Sequence, residues 1–371
     1  MIGWLNGQRK RTPIGLDVGA TAVRAAQLSR TGDVATIRHT ARRQRSQQPT
    51  DGGPVDSPQI DQDVRLCLQQ GLFSGRSAVA AVDTPDADFF SLELPPAVLQ
   101  ESTAHSRSVV RWEVERLMGD RAAEVETRHW RLPPTQGPAP NAIAIAVGAT
   151  LVAATRDACQ RSGLRCWCVD AAATALARFG TFLHSWGPQQ IWGILDAGHR
   201  QSRLVLCLGD TPILVRTAGP GGDAWTQRIA DSLSISRHAA EVHKRRHGLA
   251  LTNAHARNTD GNAKADAVAS LELAAMLMGI LRTDLNDLAA EIKRSYEYVL
   301  SCYPARQAVD LVVSGGGAAM PRFPEFLGGA LGIPVRRASS YLADPLCRLR
   351  CADAQAERMD EFAVAVGLAI E

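Results

Sequence analysis

Apolar residues recur along this chain with two periods, and the changes of period mark its elements. An apolar run, Ile14-Gly15-Leu16-Asp17-Val18-Gly19, passes through polar residues into a second apolar run that fades near Ile37, with a Gly32-Asp33 turn inside it. This is the signature of a strand hairpin. A second stretch, 191–203, repeats the plan with different residues: an apolar run ending in Asp196-Ala197-Gly198, polar residues, another apolar run and a Gly209-Asp210 turn. Two hairpins of one design, with turns at similar offsets from their aspartates, predict two related domains and a cleft between them.

The intervening patterns alternate helix and strand. Residues 38–58, rich in Arg, Gln, Gly and Pro, read as a loop or linker whose Arg38, Arg42, Arg43 and Arg45 form a solvated basic run, with phosphate or lipid contact as the alternative. Val64, Leu66, Leu68 and Leu72 have roughly helical spacing over 60–72, and 78–82 reads as a buried strand. Pro95-Pro96 marks a boundary. After it come a helix over 102–118, a strand over 125–132, a loop at 133–140, a strand over 143–147, a helix over 151–161 ended by Gly163, a strand over 164–169 and an alanine-rich helix over 171–184.

Beyond the second hairpin, Gly219-Pro220-Gly221-Gly222-Asp223 leads into a helix over 225–233, and its entry is expected to expose helix N-terminal amides to an anion. A helix over 236–246, closed by Gly248, carries Glu241 and Lys244 one turn apart, a pair whose default meaning is a solvent-facing ion pair. A polar surface loop is expected at 252–264, then helices over 267–300 with a break near Gly279. Finally Val309-Asp310-Leu311-Val312-Val313-Ser314 runs into Gly315-Gly316-Gly317 and a helix over 323–331. No Gly-x-Gly-x-x-Gly with a later ribose carboxylate surrounds that turn, so a dinucleotide fingerprint is excluded. The pattern as a whole is α/β.

Composition narrows the class. At 371 residues the chain holds two or more domains. Its 41 basic and 38 acidic residues leave a charge of +3, too small to make nucleic acid the main partner. Eight cysteines without zinc spacing indicate thiols in a reducing compartment. The start carries no signal-peptide core, and the longest mostly apolar run, 142–154, is well short of the roughly 20 residues that span a bilayer. The reading is a cytoplasmic chain with at most peripheral membrane contact. Ile2, Trp4 and Leu5 beside Arg9-Lys10-Arg11 read as a frayed terminus rather than a membrane anchor.

The chemistry offered by each Asp-x-Gly copy is that of a phosphate loop. Glycine lets the backbone turn closely, exposed amides hydrogen-bond phosphate oxygens, and the carboxylate can hold Mg²⁺ directly or through water. One such motif is more often just a turn. Two, each leading into a hairpin, and a glycine turn after a buried strand make three loops able to converge on phosphate, phosphate and nucleoside.

On these residues the chain resembles the actin-like ATPase superfamily, of ribonuclease H-like fold. Within it the chain looks like the PilM family of type IV pilus assembly proteins, related to FtsA. The likeness rests on Ile14-Gly15-Leu16-Asp17-Val18-Gly19-Ala20-Thr21-Ala22-Val23-Arg24, Gly163-Leu164 before Val169-Asp170, Ala175-Leu176-Ala177-Arg178, Gly221-Gly222, and the terminal Phe362-Ala363-Val364-Ala365-Val366-Gly367-Leu368-Ala369-Ile370. It implies a first domain at 12–83 and 169–186, a small inserted subdomain at 84–168, and a second domain at 187–371 whose C-terminal helix returns to the first.

The resemblance also implies ATP and Mg²⁺ as cofactors. Asp17 and Asp196 would orient a hydrated Mg²⁺; Gly19, Ala20, Thr21, Gly198, His199, Arg200, Gly221 and Gly222 would line the phosphates. Glu241, Lys244, Gly315, Gly316 and Gly317 would flank adenosine. Departures bear on turnover: His199 stands where relatives often carry a small residue, either adding charge to the phosphates or crowding them. Ala171-Ala172-Ala173 opens a segment where related chains commonly carry an acidic residue. Slow or absent hydrolysis is the expectation.

The implied function is an ATP-binding cytoplasmic adaptor of a type IV pilus, or related secretion, inner-membrane complex. It would bind the cytoplasmic N-terminal peptide of a PilN-like bitopic membrane protein, with other assembly proteins and self-association open. Its rivals are an FtsA-like or MreB-like filament former and a small-molecule kinase of the same fold, for which no acceptor-facing carboxylate base stands out.

Overall fold

The computed structural model describes residues 10–46, 58–83, 86–100, 104–119, 124–135, 139–250 and 261–370. In chain order these form β1 (Lys10–Arg11), β2 (Ile14–Val18), β3 (Ala22–Thr31), β4 (Val34–Gln44), α1 (Pro58–Gln69), β5 (Ser77–Val82), β6 (Ala87–Leu92), α2 (Pro96–Gln100), α3 (Ala104–Met118), β7 (Val125–Arg131), β8 (Ala142–Gly148), α4 (Ala149–Arg161), β9 (Arg165–Ala171) and α5 (Ala172–Leu183). The chain continues through β10 (Gln190–Ala197), β11 (Gln201–Leu208), β12 (Thr211–Pro220), α6 (Gly222–Leu233), α7 (Arg237–His247), α8 (Gly261–Cys302), β13 (Gln307–Ser314), α9 (Phe323–Leu331), β14 (Val335–Arg337), β15 (Leu349–Arg350), α10 (Asp353–Ala356) and α11 (Ala363–Ala369).

The two Asp-x-Gly hairpins are the centres of two sheets built alike. In the first, β2, β3 and β4 form an antiparallel meander while β5 and β9 add in parallel beyond β2, giving the order β15-β4-β3-β2-β5-β9 with β1 also on β3. In the second, β10, β11 and β12 form the meander and β13 and β14 add in parallel, in the order β12-β11-β10-β13-β14. Both turns predicted between the meander strands are present, with Gly32 at φ +59° and Gly209 at φ +55°, the left-handed backbone that glycine adopts without penalty. A third sheet, β6-β8-β7, is antiparallel throughout.

Helices α5 and α11 join the two large sheets. One core cluster contains Ala26 and Leu28 of β3, Ala175, Leu176 and Phe179 of α5, Val364, Ala365, Val366 and Leu368 of α11, and Trp192, Ile194, Val205 and Val312 of the second sheet. Helix α11 lies close to both α5 and β2 because a glycine stands at each contact: a Cβ on Gly367 would stand 1.9 Å from the Ala175 carbonyl oxygen of α5, and one on Gly15 of β2 would stand 2.0 Å from that of Ala365. Each large aliphatic or aromatic side chain fully buried here contributes about 1.5–3 kcal/mol relative to exposure.

Several expectations change. Strand β4 runs on to Gln44 where a loop was expected from Arg38, because the whole segment pairs with β3 in register Arg24↔Arg42 and Ala22↔Gln44. Helix α8 is continuous across Gly279, whose position is exposed and has open space around it. One glycine costs a helix only about 1 kcal/mol relative to alanine, which a long packed helix tolerates. The same helix starts at Gly261, inside the polar segment read as a loop; the rest of that loop, 252–260, lies outside the described residues, as do the terminal Ile2, Trp4 and Leu5. Strands β6, β14 and β15 had no reading in the sequence.

The stretch 84–168 divides between two places. Strands β6, β7 and β8 with α3 form a small core of their own around Val110, Val114 and Val125. Helix α4 and strand β9 instead join the first sheet: Cys159 and Leu164 pack with Ile14, Val64 and Ala80, and β9 pairs with β5. All eight cysteines are free thiols. Among the described residues no helix is long and apolar enough to cross a membrane.

Candidate functional site

The two hairpins and the Gly315 turn open onto one cleft of about 440 Å³. Asp17 on β2 lies opposite Arg24 on β3, and Arg24 Nη1 donates to Asp17 Oδ2 at 3.3 Å. Asp196 on β10 lies opposite Arg203 on β11, and Arg203 Nη1 donates to Asp196 Oδ2 at 3.2 Å. The turns match as well: Gly19 N–H donates to Ala22 O at 3.0 Å and Gly198 N–H to Gln201 O at 3.1 Å. Arg203 also pairs with Asp83, at the end of β5, so one guanidinium links the halves.

Burial decides the electrostatics of these groups. It raises the Asp17 carboxyl above its ordinary value, against the opposing charges of Arg24 and Arg203. Burial, then the like charge of Asp17, push Asp196 up to about 6, with Arg24 opposing. Burial also lowers Arg203 to about 10, with Asp17 holding it up. Arg203 thus bonds Asp196 of its own hairpin while it and Asp17 of the other stabilise each other's charge.

The third loop reaches the second hairpin only because it is glycine. Gly315 has φ +83°, and a Cβ there would stand 2.4 Å from Asp196 Oδ1 and 2.6 Å from Ala197 O. A Cβ on Gly317 would stand 2.7 Å from that of Ala197. Gly315 N–H donates to Asp360 O at 2.7 Å, fixing the turn against the segment before α11.

Helix α6 departs from expectation. The amides of Gly221, Gly222 and Asp223 donate to the carbonyls of Arg200, Gly198 and His199 at 3.0, 2.9 and 2.9 Å, so these N–H groups cap the second hairpin loop instead of facing an anion. Gly222 lines the cleft, whereas Gly221 packs behind the loop, where a Cβ would stand 2.4 Å from His199 O.

Glu241 and Lys244 are likewise not a solvent-facing pair. Lys244 is buried, donates to Gly222 O at 2.7 Å and Thr226 Oγ1 at 2.6 Å, and pairs with Glu241 at 2.6 Å. Glu241 also accepts from Thr226 Oγ1 and Arg245 Nε, each at 2.6 Å. Burial works against the Glu241 charge, but Lys244 and the hydrogen bonds from Arg245, Lys244 and Thr226 outweigh it and hold the carboxyl at about 2. The network braces α7 onto α6 while both residues still line the cleft.

Of the residues picked from sequence, Asp17, Gly19, Ala20, Thr21, Asp196, Gly198, His199, Arg200, Gly222, Glu241, Lys244 and Gly315 to Gly317 line this one cleft. Sequence reading missed Arg24, Gln201, Arg203, Thr226 and Arg245, which line it too, and Arg42, whose phosphate contact was only the alternative to a solvated basic run, lines it as well. The signal for two of them was present, since each aspartate is followed by an arginine at the same offset, the distance at which a tight hairpin brings residues opposite one another.

Each of the seven carboxylates lining the cleft is ion-paired: Asp17 with Arg24, Asp83 and Asp196 with Arg203, Asp223 with Arg237, Glu241 with Lys244 and Arg245, Asp360 with Arg337, Glu361 with Arg42. Buried donors lining it have no acceptor: Arg24 Nε, Arg203 Nε and Gln201 Nε2. Among the described residues no group of three or more His, Cys, Asp or Glu could hold a metal ion. The expected Mg²⁺ site at Asp17 and Asp196 does not fit these residues. A dication, bare or hydrated, would meet two carboxylates that are each already paired with a guanidinium, beside unmatched N–H donors that call for an anion.

Two sheets of matching meander-plus-parallel design, joined by α5 and α11 around a cleft of Asp-x-Gly hairpins, define the actin-like ATPase fold. No family model matches the chain, and no curated protein sequence matches it. Among solved structures it is similar to a chain of a PilM-PilN type IV pilus biogenesis complex, at 21% identity and a TM-score of 0.72, over 97% of this chain and 98% of that one. It is also similar to the ethanolamine utilization protein EutJ from Carboxydothermus hydrogenoformans, at 15% identity and a TM-score of 0.53, over 98% of this chain and 91% of that one.

Proposed function

We propose that this chain is an ATP-binding adaptor of PilM type. It would serve a type IV pilus or related secretion complex and lie in the cytoplasm against the inner membrane through its partners. The observation that carries the reading is the convergence of both Asp-x-Gly hairpins and the Gly315 to Gly317 turn on a single cleft, in a fold that parallels a PilM-PilN structure along nearly its whole length. Phosphates would lie against the Gly19 to Thr21 and Gly198 to Arg200 loops, with adenosine between Gly315 to Gly317 and the Glu241 side of α7.

Turnover is slow or absent in this reading. Hydrolysis needs a group that orients the attacking water. Every carboxylate lining the cleft is held by a cation, Ala172 lines the cleft at the start of α5, and the nearby Asp170 is bound by Thr174 and Arg178. The protein acts by holding a shape. The partner is a PilN-like bitopic membrane protein, bound through its cytoplasmic N-terminal peptide against the first domain and the small β6-β8-β7 sheet.

The test is a titration of that peptide, taken from a bitopic protein encoded beside this one, against the purified chain with and without ATP. Saturable binding that ATP strengthens supports the adaptor. Absence of binding in both conditions removes it.

A further inference from the structure

We propose that Arg203, with Arg24, is the built-in counter-ion of the cleft, so that this chain binds the polyphosphate of a nucleotide without a divalent cation. The inference rests on the nucleotide reading above and deepens it. Its starting point is where Arg203 lies. The residue comes from β11 in the second half, donates to Asp196 and pairs with Asp83 of the first half, and its side chain is only 4% exposed. A positive group already stands between the acidic groups of the two halves, the place where a cation shared by the hairpins would sit.

Three further observations agree. Arg24 repeats the arrangement at the first hairpin, so each hairpin carboxylate is already opposed by a guanidinium, and Asp17, Asp83 and Asp196 against Arg24 and Arg203 leave a single unit of negative charge for a dication. Asp196 has little left to offer, since Oδ2 accepts from Arg203 and Oδ1 faces the third loop, 2.4 Å from where a Gly315 Cβ would be. Apart from Arg42 Nε and Glu361 Oε2, which lie against each other as an ion pair, the unmatched buried atoms of cleft-lining residues are donors: Arg24 Nε, Arg203 Nε and Gln201 Nε2.

A guanidinium carries five N–H donors in a planar fork, so one that spends two edges on carboxylates still has N–H groups for phosphate oxygens. Polyphosphate entering the cleft would satisfy these donors with charge-assisted hydrogen bonds. Mg²⁺ would have to displace or oppose the guanidiniums to do the same work. The two arginines stay with the protein and need no recruitment.

The experiment is calorimetric titration of ATP into the full chain, once in excess Mg²⁺ and once in excess EDTA, repeated with Arg203→Gln. The wild type is expected to bind in EDTA with a Kd within about fivefold of that in Mg²⁺, and Arg203→Gln to lose about tenfold or more in EDTA, as expected for removing a charged hydrogen-bond donor. Wild-type binding that weakens beyond about fivefold on removing Mg²⁺ would overturn the inference while leaving the nucleotide reading intact. Unchanged binding by a folded Arg203→Gln would overturn it as well. No binding of ATP in either condition would overturn both. If Arg203→Gln does not fold, the wild-type comparison decides alone.

Discussion

Arg203 Nη1 lies 3.2 Å from Oδ2 of Asp196, its partner directly across the second hairpin, in a position almost closed to solvent. Removing one member of a buried pair strands the other. Arg203→Met is therefore expected to destabilise the protein by about 3–5 kcal/mol, read as a lower denaturant midpoint. The double variant Arg203→Met with Asp196→Asn should recover part of the loss. A double variant no more stable than the single one would mean that Asp196 does not depend on Arg203.

Asp196 also gives the cleft a pH dependence of defined sign. Its folded pKa, about 6, lies above the unfolded value near 3.8. A carboxyl raised in this way contributes its stability fully below about 4 and loses it as pH rises through about 6, a difference of about 3 kcal/mol between the ends of that window. Asp196→Asn removes the titration. The unfolding temperature of the variant relative to wild type should therefore rise between pH 4 and pH 8, and a difference flat with pH would contradict the burial of this charge.

Two glycines separate conformational need from mere presence. Gly279 sits in the exposed face of α8 with nothing within 4 Å of a Cβ, so Gly279→Ala should stabilise by about 1 kcal/mol. Gly315→Ala should instead destabilise, because φ is +83° and the methyl would meet Asp196 Oδ1 and Ala197 O. Denaturant midpoints moving in opposite directions are the expected result. A neutral Gly315→Ala would mean that the third loop is not pressed against the second hairpin.

Much of this arrangement was legible because it is local. An apolar run, Asp-x-Gly, another apolar run and a Gly-Asp turn make a hairpin wherever they occur, so both halves could be read from Asp17 and Asp196 outward. Arg24 and Arg203 were legible in principle from their equal offsets, but only pairing in register shows that each meets its aspartate. What the sequence hid depends on distant contacts. The amides of Gly221 to Asp223 look free until the 198–200 loop folds over them. Strand β4 looks like a basic loop until β3 pairs with all of it, and Lys244 looks exposed until α6 packs above it.

The small β6-β8-β7 sheet is also fastened to the second half of the molecule. Trp130 Nε1 on β7 donates to Pro212 O on β12 at 2.8 Å, and the Tyr303 hydroxyl after α8 donates to Pro133 O at 3.2 Å. Trp130→Phe and Tyr303→Phe delete these bonds at a cost of about 1 kcal/mol each. Amide exchange in β6 to β8 should quicken in the double variant. Unchanged exchange would show that the small sheet is held by other contacts.

The central claim, that three loops make one nucleotide cleft, is tested most directly by thermal unfolding of the intact chain with and without ATP. ATP at 100 times its Kd should stabilise the folded state by about 2.7 kcal/mol and raise the unfolding temperature. Ala20→Trp, which fills the cleft at the first hairpin loop, should unfold at the same temperature with and without the ligand. A wild-type protein whose unfolding temperature does not move at millimolar ATP would contradict the account and leave an actin-like fold used only as a docking surface.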